Sequence, residues 1–248
     1  MDYVELRDIS VYQWFRNPNG TPILTDPVDF SKMVGQGVKG VYIRAMTCRG
    51  EEDHAFRLNW ELAKQSGLKR GAYGFTSPTT PIGFANKFID IVDATDDYGE
   101  LPPWLDYEDV KIVPKPPRPT EKATKAWLDR VENMYRRPMI YTSHVMWFDP
   151  TPPVWTNNYL LAVANYTTAA YPTIPHGWKD WYMWQYSAKG DGIANGVKSK
   201  EIDCDRIRKS DWYALTGEPV LDQTDQWMIE MDAWARTQGY TGIRPFGA

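Results

Sequence analysis

The chain has 248 residues, of which 42% are hydrophobic and 24% are charged, so it is long enough to form a single barrel-sized or α/β domain. Its formal net charge of −4, with 28 Lys and Arg residues that form no basic block, argues against nucleic-acid binding. No run approaches the roughly 20 apolar residues of a membrane span, so no membrane insertion is expected.

Short β-rich runs alternate with helical patterns, which is typical of βα units around a mostly parallel sheet. Gly67 suits the left-handed position after one helix, and Thr80-Pro81 is typical of the start of another, with the Thr80 hydroxyl as its cap. The elements predicted in chain order are strand 5–11, helix 30–35, strand 40–45, helix 53–66, strand 70–75, a helix from residue 80, strand 101–110, helix 120–136 and strand 139–143. Helical spacing predicts buried faces that contain Phe56, Trp60, Ala63, Phe84, Phe88, Ile91, Ala123, Trp127, Val131 and Met134.

The pattern changes beyond residue 150, where β-rich runs follow one another with turns and no long helix between them. Strands are predicted over 159–166, 181–187 and 201–207. The sequence therefore predicts an α/β fold with a β-rich final third.

The strand predicted over 101–110 contains two carboxylates, Asp106 and Glu108. Side chains at i and i+2 of a strand share a face, so we expect the two acids to share one pocket. Strand ends carry the active site in α/β barrels, and like charges in a partly dry cleft raise at least one pKa. One protonated and one ionised carboxyl is what glycoside hydrolysis requires. A solvated loop cap is the alternative, because Asp-x-Glu alone is a weak motif.

Two further acids favour the catalytic interpretation. Asp8 lies in the first predicted strand and Asp203 in the last, so closure of a barrel brings both toward the mouth of the fourth strand. A metal pair formed by Asp203 and Asp205 is a competing interpretation, but two acids without further ligands are poor evidence for one.

The cysteines and histidines do not indicate a metal site. Cys48 and Cys204 are too few for a disulfide framework, lack metal-ligand spacing and are expected to be free thiols. His54, His144 and His176 are far apart in the sequence and match no zinc-hydrolase pattern. The sequence therefore predicts neither a metal nor a cofactor.

Seven short motifs, in order along the chain, resemble those of the glycoside hydrolase family 25 lysozymes, the Chalaropsis-type muramidases common among phage endolysins. They are Asp8-Ile9-Ser10 with Tyr12-Gln13, Gly71-Ala72-Tyr73-Gly74-Phe75, Leu105-Asp106-Tyr107-Glu108, Ile140-Tyr141-Thr142-Ser143, Ala164-Asn165-Tyr166, Trp184-Gln185-Tyr186-Ser187 and Ile202-Asp203-Cys204-Asp205. Each motif alone is weak, but seven in the family's order are strong.

The resemblance implies a single-domain α/β fold, a flattened TIM-like (β/α)5(β)3 barrel over residues 1–217. It implies an N-acetylmuramidase that acts on bacterial peptidoglycan glycan strands without a cofactor, cleaving the β-1,4 bond between N-acetylmuramic acid and N-acetylglucosamine with net retention. Glu108 would be the general acid, and Asp106 would orient the 2-acetamido group or stabilise the charged intermediate, with Asp8 and Asp203 supporting the pocket. The nucleophile is either a protein carboxylate or the acetamido oxygen, and we favour the latter. The expected substrate contacts are Tyr73, Tyr107, Tyr141, Asn165, Trp184 and Gln185.

The chain departs from the family pattern at three places. The segment from Arg44 to Gly50 lacks a clear counterpart of the family's usual Glu, so this loop is expected to bind a different wall. Gly74 replaces the usual His beside Tyr73. Asp205 stands where the family often has Asn, and we expect it to face away from Asp203 and to lie outside the site.

Aromatic residues allow two interpretations. Apolar faces of sugar rings stack on Trp and Tyr, and the chain has 12 Trp and 15 Tyr residues. For any one of the four aromatic residues near predicted strand ends, however, core packing is favoured. These are Trp104, Tyr107, Trp147 and Trp184.

Separate predictions apply to the C-terminal tail and to the first residues of the chain. Residues 218–248 form a C-terminal tail with Trp227, Met228, Met231, Trp234 and Ala235 at helical spacing. A helix packing on the barrel or on a neighbouring chain is favoured over a separate wall-binding element. The first residues lack the basic and apolar regions of a signal peptide, so we expect action at the bacterial wall after phage lysis, on a virion or by another export route.

Rival functions are less well supported by the sequence. A non-catalytic carbohydrate-binding homologue would keep the cleft, but binding alone has no need of a paired acid. A zinc amidase or Cys/His peptidase lacks ligand spacing and a local cysteine signature, and a serine hydrolase lacks its Gly-x-Ser-x-Gly turn.

Overall fold

A computed structural model describes residues 3–14, 23, 25–109, 117–148, 150–218 and the single positions 231, 234 and 237. Eight strands form one closed barrel in chain order, with the last strand pairing back on the first. The strands are β1 (Tyr3–Ile9), β2 (Gly40–Met46), β3 (Lys69–Gly74), β4 (Trp104–Asp106), β5 (Met139–Thr142), β6 (Leu160–Ala164), β7 (Met183–Asp191) and β8 (Glu201–Arg208). Neighbouring strands from β1 to β7 are parallel, whereas β8 is antiparallel to both of its neighbours.

Helices connect the first five strands on the outside of the barrel. They are α1 (Phe30–Gly35), α2 (Phe56–Gln65), α3 (Pro81–Asp93) and α4 (Glu121–Glu132), and α5 (Lys209–Thr216) follows β8. The predicted α/β barrel is confirmed. After β5, however, the described residues contain a 3-10 helix, Thr156–Asn158, in place of a fifth α-helix. Prolines crowd this connection and lack the N–H groups that a helix needs.

A helix cap, the end of a helix and the length of a strand differ from the predictions. Thr80 precedes α3 as expected, but its side chain does not cap the helix, because its hydroxyl donates to Ser77 Oγ instead (3.2 Å). Met134 lies beyond the end of α4 and is 46% exposed, so its predicted burial is wrong. The strand predicted over 101–110 is only three residues long, since two prolines precede Trp104 and cannot donate to a ladder. The left-handed conformation of Gly67, with φ of 80°, is as predicted.

The barrel interior has an aromatic floor. The Trp104 ring stacks on Tyr42, with centroids 4.2 Å apart, and on Tyr141 at 5.1 Å. A Cβ atom at position 71 would lie 2.2 Å from the Tyr42 ring, so only glycine leaves room for that ring to cross the barrel. Because this floor fills the lower barrel, polar side chains from the strand ends collect above it.

A second core lies between the strands and the helices, with Trp60, Phe88 and Trp127 fully buried. No helix among the residues that the structure describes is long and apolar enough to cross a membrane. The C-terminal tail lies largely outside the described residues. Its described positions, Met231, Trp234 and Thr237, are helical and exposed, and the domain boundary at residue 217 stays a prediction.

Candidate active site

Four aspartates from three strands meet at the barrel mouth. Asp8 near the end of β1 pairs in register with Asp203 of β8, which places the two carboxyls side by side. Asp106 is the last residue of β4, and its pKa responds to the charge of Asp8 across the barrel. Asp8, Asp106 and Asp205 are buried, whereas Asp203 is partly exposed. The predicted convergence of strands therefore brings Asp8, Asp106 and Asp203 to one region.

Hydrogen bonds fix the orientation of Asp8. The Gln185 amide donates from Nε2 to Asp8 Oδ2 at 2.7 Å. The Gln185 Oε1 atom accepts from the hydroxyls of Tyr141 (2.9 Å) and Tyr166 (2.6 Å), so the amide nitrogen must face Asp8. Tyr166 is 58% exposed, so its ring is accessible to solvent at the barrel mouth while its hydroxyl is bound to Gln185.

Burial raises the pKa values of the carboxyls in this cluster, so these groups keep their protons to a higher pH. Burial raises the pKa of Asp8 well above its ordinary value, with smaller increases from Asp203 and Asp205 that the Gln185 hydrogen bond opposes. Burial likewise raises the pKa of Asp106, which the charges of Glu108 and Asp8 raise further and Arg44 lowers. Burial and the charge of Glu201 raise the pKa of Asp203 to about 6. A site of this kind holds at least one carboxylic acid in its protonated form near neutral pH.

The expectation that Asp205 faces away from Asp203 is wrong. Side chains at i and i+2 of a strand share a face, and Asp205 accordingly points into the barrel, where its charge raises the pKa of Asp8. It is fully buried, and its two carboxyl oxygens have no N–H or O–H donor among the described residues. A buried carboxyl can donate a hydrogen bond to Asp8 only while it holds a proton, so we expect Asp205 and Asp8 to share one proton.

We expect Asp205→Asn to make the protein more stable at pH 7, because the variant no longer buries a carboxyl that must either keep its proton or carry a charge. Burial, then the charge of Asp203, raises the folded-state pKa of Asp205, and Arg7 opposes this increase. A raised folded-state pKa means that its stabilising contribution is complete below the unfolded pKa of about 4 and is lost as the pH rises through the folded value. Asn does not titrate and can donate to Asp8 at every pH.

Thermal unfolding of both proteins from pH 4 to pH 8 checks this prediction. The midpoint difference should grow in favour of the variant as the pH rises. Parallel curves, or a variant that loses stability relative to the native chain at pH 7, would contradict the shared-proton assignment.

Glu108 lies two residues beyond the end of β4 and is exposed. Because the strand stops at Asp106, the same-face argument that predicted this pairing does not apply to Glu108. The two acids nevertheless line one cleft of about 330 Å³ at the barrel mouth. Glu108 therefore has the solvent-side position, and Asp106 forms the buried side of the same cleft.

The other candidate residues occupy two different environments. Tyr73 points into the barrel, and burial, then the charge of Asp8, raises the pKa of its hydroxyl. Tyr107 lies in the outer core, where its ring contacts Trp147 and its hydroxyl donates to the Pro119 carbonyl (3.1 Å). Trp184 also lies in the outer core, and its indole N–H donates to the carbonyl of Asn165 (2.7 Å).

The Asn165 side chain forms a hydrogen bond close by in the sequence, since its Oδ1 accepts from the backbone N–H of Thr173 (3.0 Å). Among the residues first expected to contact substrate, Tyr73, Tyr141 and Gln185 thus adjoin the acid cluster, whereas Tyr107 and Trp184 pack mainly in the outer core. Tyr107 still contributes part of the cleft wall.

Sequence reasoning missed the role of Arg44 near the cluster. Its guanidinium binds the buried carboxylate of Asp53 through Nε (2.8 Å) and Nη2 (2.7 Å), and its charge lowers the pKa of Asp106. Arg44 lies in β2, near the end of that strand at the barrel mouth. In the sequence, Arg44 stood out only as the start of a segment that departs from the family pattern, and Asp53 only as the first residue of a predicted helix.

Cys48 and Cys204, both among the described residues, are free thiols, as predicted. Cys48 lines the cleft, and Cys204 is buried in β8. Within the described part of the chain, no three His, Cys, Asp or Glu side chains are arranged to hold a metal ion.

An eight-stranded α/β barrel with a carboxylate-lined cleft at its strand ends is the arrangement of a barrel glycoside hydrolase. The model of the glycosyl hydrolases family 25 matches residues 24–195, and the chain belongs to that family.

Parts of the chain are similar in sequence to known proteins. YegX, an uncharacterized protein of Escherichia coli K12, is 32% identical over 175 residues, which cover 67% of this chain and 61% of YegX. Lysozyme M1 of Streptomyces globisporus is 26% identical over 189 residues, covering 71% of this chain and 64% of the lysozyme. The chain thus spans less than two thirds of the length of these curated relatives. The crystal structure of a lysozyme from Streptomyces coelicolor has the same fold, with a TM-score of 0.67 and 23% identity, over 86% of this chain and 96% of that one.

Proposed function

We propose that the protein is a peptidoglycan hydrolase, an N-acetylmuramidase that cleaves the β-1,4 bond between N-acetylmuramic acid and N-acetylglucosamine. The observation that carries this proposal is the placement of Asp106 and Glu108 on one cleft at the mouth of the family's barrel. The similarity to a lysozyme over 71% of the chain supports the substrate class.

Glu108 is the general acid in this proposal. Its exposed position on the cleft wall lets it reach the glycosidic oxygen of an entering glycan strand. Protonated Glu108 gives its proton to that oxygen as the bond to the anomeric carbon breaks. The ionised Glu108 then removes a proton from the water that completes hydrolysis, which returns it to its starting state.

Asp106 acts on the other side of the reacting sugar. We infer that its carboxylate accepts the N–H of the 2-acetamido group while the acetamido oxygen attacks the anomeric carbon from the face opposite to the leaving group. Water then displaces that oxygen from the original face, so the configuration is retained. The raised pKa of Asp106 favours this role, because a more basic carboxylate is a stronger hydrogen-bond acceptor.

Asp8 and Asp203 support Asp106 without contacting the scissile bond. The negative charge of Asp8 raises the pKa of Asp106, whereas the positive charge of Arg44 lowers it and favours the carboxylate form that binds the acetamido N–H. Positive charge that develops at the sugar carbon is stabilised by the ionised members of the cluster, because few water molecules screen charges at a buried site. Gln185 holds Asp8 through its amide hydrogen bond, and Tyr73 lies beside the cluster with its ring against Trp104.

We expect the purified protein to release new reducing ends from peptidoglycan without added metal, at a rate that chelators leave unchanged. The proton and the positive-charge stabilisation both come from carboxyls in this mechanism, so no metal is required. A colorimetric assay of reducing ends on purified cell-wall sacculi, with and without a chelator, measures the rate. Binding to sacculi without release would favour a non-catalytic wall-binding homologue, and a loss that added metal restores would contradict the mechanism.

A further inference from the structure

Asp205 lies one layer deeper in the barrel than the other acids of the cluster, and the proposed mechanism does not use it. In the register of β8, Asp203 is opposite Asp8 of β1. Asp205 is opposite Leu6 of β1 on one side and Gln185 of β7 on the other. Leu6 is part of the apolar core inside the barrel, and Asp205 is fully buried. The Asp205 carboxyl is therefore enclosed between the acid cluster above it and the apolar interior below it.

The donors nearest to this carboxyl bind other residues. The Gln185 amide nitrogen donates to Asp8 Oδ2 at 2.7 Å. The Arg7 guanidinium donates from Nε to Asn195 Oδ1 at 3.1 Å. Neither carboxyl oxygen of Asp205 accepts a hydrogen bond from the residues that the structure describes. An unpaired carboxylate is costly to bury in its charged form, so burial favours the protonated carboxyl.

Charges on the neighbouring strands act on this carboxyl with opposite signs. The titratable groups around it are Arg7 and Asp8 on β1, Tyr42 on β2, Tyr166 after β6, and Asp203 and Cys204 on β8. Burial, and then the negative charge of Asp203, raises the pKa of Asp205 well above its ordinary value, whereas the positive charge of Arg7 lowers it. Asp205 thus keeps its proton to a higher pH than an exposed aspartate does.

Loss of this proton would disturb the hydrogen bond that orients Asp8. Gln185 is the shared neighbour, because it is opposite Asp205 in the register of β7 and β8 and its amide donates to Asp8. A charged Asp205 would compete with Asp8 for the N–H groups of that amide. The two negative charges would also repel each other, since few water molecules screen them at a buried site. Asp8 would then lose the orientation in which it supports Asp106.

We propose that Asp205 is a positioning residue for the reaction and that the active form of the protein requires its carboxyl to hold a proton. This inference rests on the proposed function, because Asp205 acts through Asp8 and Gln185 and contacts no part of the substrate. Glu108, the general acid of that mechanism, must also be protonated when the reaction starts. Activity therefore requires a proton on Glu108 and a second proton on Asp205.

The pH dependence of kcat/KM for reducing-end release from peptidoglycan counts these protons. If two protons are required, kcat/KM of the native protein falls about 100-fold per pH unit at the alkaline end of its profile. Asp205→Asn cannot titrate and can donate to Asp8 at every pH, so only the proton of Glu108 remains. We therefore expect kcat/KM of this variant to fall about 10-fold per pH unit over the same range.

Asp211→Asn is the matched control. Asp211 lies in α5, which follows the end of β8 that is away from the barrel mouth. Burial also raises the pKa of this carboxyl, and the charge of Arg208, whose Nε is 3.4 Å from Asp211 Oδ2, lowers it. The control should change the pH dependence of thermal stability and keep the native steepness of the alkaline loss of activity. All rates are measured at a temperature at which circular dichroism shows each protein to be folded over the whole pH range.

A native protein that loses only about 10-fold per pH unit would overturn the inference, because the reaction then needs a single proton. An Asp205→Asn protein as steep as the native one, or an Asp211→Asn protein that becomes less steep, would also overturn it. Asp205→Ser keeps a donor that does not titrate in this range, so it should behave like Asp205→Asn and replaces that variant if it does not fold. A native protein that releases no reducing ends would instead overturn the proposed function, and with it any role of Asp205 in that reaction.

Discussion

Replacement of Glu108 by Gln is expected to lower the rate of reducing-end release from peptidoglycan by about 100- to 10,000-fold, the range of general acid–base contributions. Gln has nearly the same shape but cannot transfer a proton to the leaving oxygen. Glu108 is exposed and lies beyond the end of β4, so its replacement leaves the packed barrel intact. The melting temperature should therefore stay within about 2 °C of the native value, because surface substitutions rarely change stability much.

Glu132→Gln is a suitable control for this experiment. Glu132 ends α4 and binds Arg137 on the surface (2.8 Å), remote from the cleft. Its replacement makes the same chemical change and should preserve activity. A Glu108→Gln protein with native activity would remove Glu108 from the mechanism, and one that loses activity only in proportion to a loss of folded protein would indicate a structural role.

Replacement of Asp106 by Asn is expected to lower activity by about 100- to 1,000-fold, comparable to the loss of one preorganised electrostatic contact in an active site. The amide side chain of the variant cannot provide the negative charge that binds the acetamido N–H as positive charge develops on it. The same substitution should raise stability at neutral pH. Burial, then the charge of Glu108, raises the folded-state pKa of Asp106, so the native protein loses stability as the pH rises through that value.

The opposite signs of these two effects distinguish a catalytic carboxyl from a structural one. Removal of about 1 kcal/mol of destabilisation would raise the melting temperature of a domain of this size by about 2 to 4 °C. Asp129→Asn, at an exposed carboxylate on α4 that pairs with Lys125, is the control and should leave activity unchanged. An Asp106→Asn protein that is less stable at pH 7 and equally active would contradict both parts of the prediction.

Local patterns predicted the order of the elements because each βα unit repeats a simple periodicity. Gly67 and Pro81 marked real helix boundaries, and Asp8 and Asp106 lie on the strands assigned to them. Closure of the barrel then follows from strand order, which is why acids from the first, fourth and last strands could be expected at one mouth. Element ends were less predictable: the strand at Asp106 begins only after two prolines and ends before it reaches Glu108.

Contacts between residues that are far apart in the chain could not be predicted from the sequence. The Gln185 amide contacts Asp8, which is 177 positions away in the sequence, and the direction of its donor is set by Tyr141 of β5 and by Tyr166, which follows β6. The outer-core burial of Tyr107 and Trp184 likewise depends on which face each strand turns to the helices. Asp205, in contrast, could have been placed beside Asp203 from strand alternation alone.

Mass spectrometry of digested wall fragments tests most directly whether carboxyls at this barrel mouth cleave a glycosidic bond. Purified sacculi are treated with the native protein and with Glu108→Gln, and the soluble fragments are reduced with borohydride to mark their reducing ends. We predict that the native digest contains fragments ending in reduced N-acetylmuramic acid and that the variant digest lacks them. Fragments ending in reduced N-acetylglucosamine, or intact glycan strands with cleaved peptide or amide bonds, would contradict the proposed muramidase mechanism.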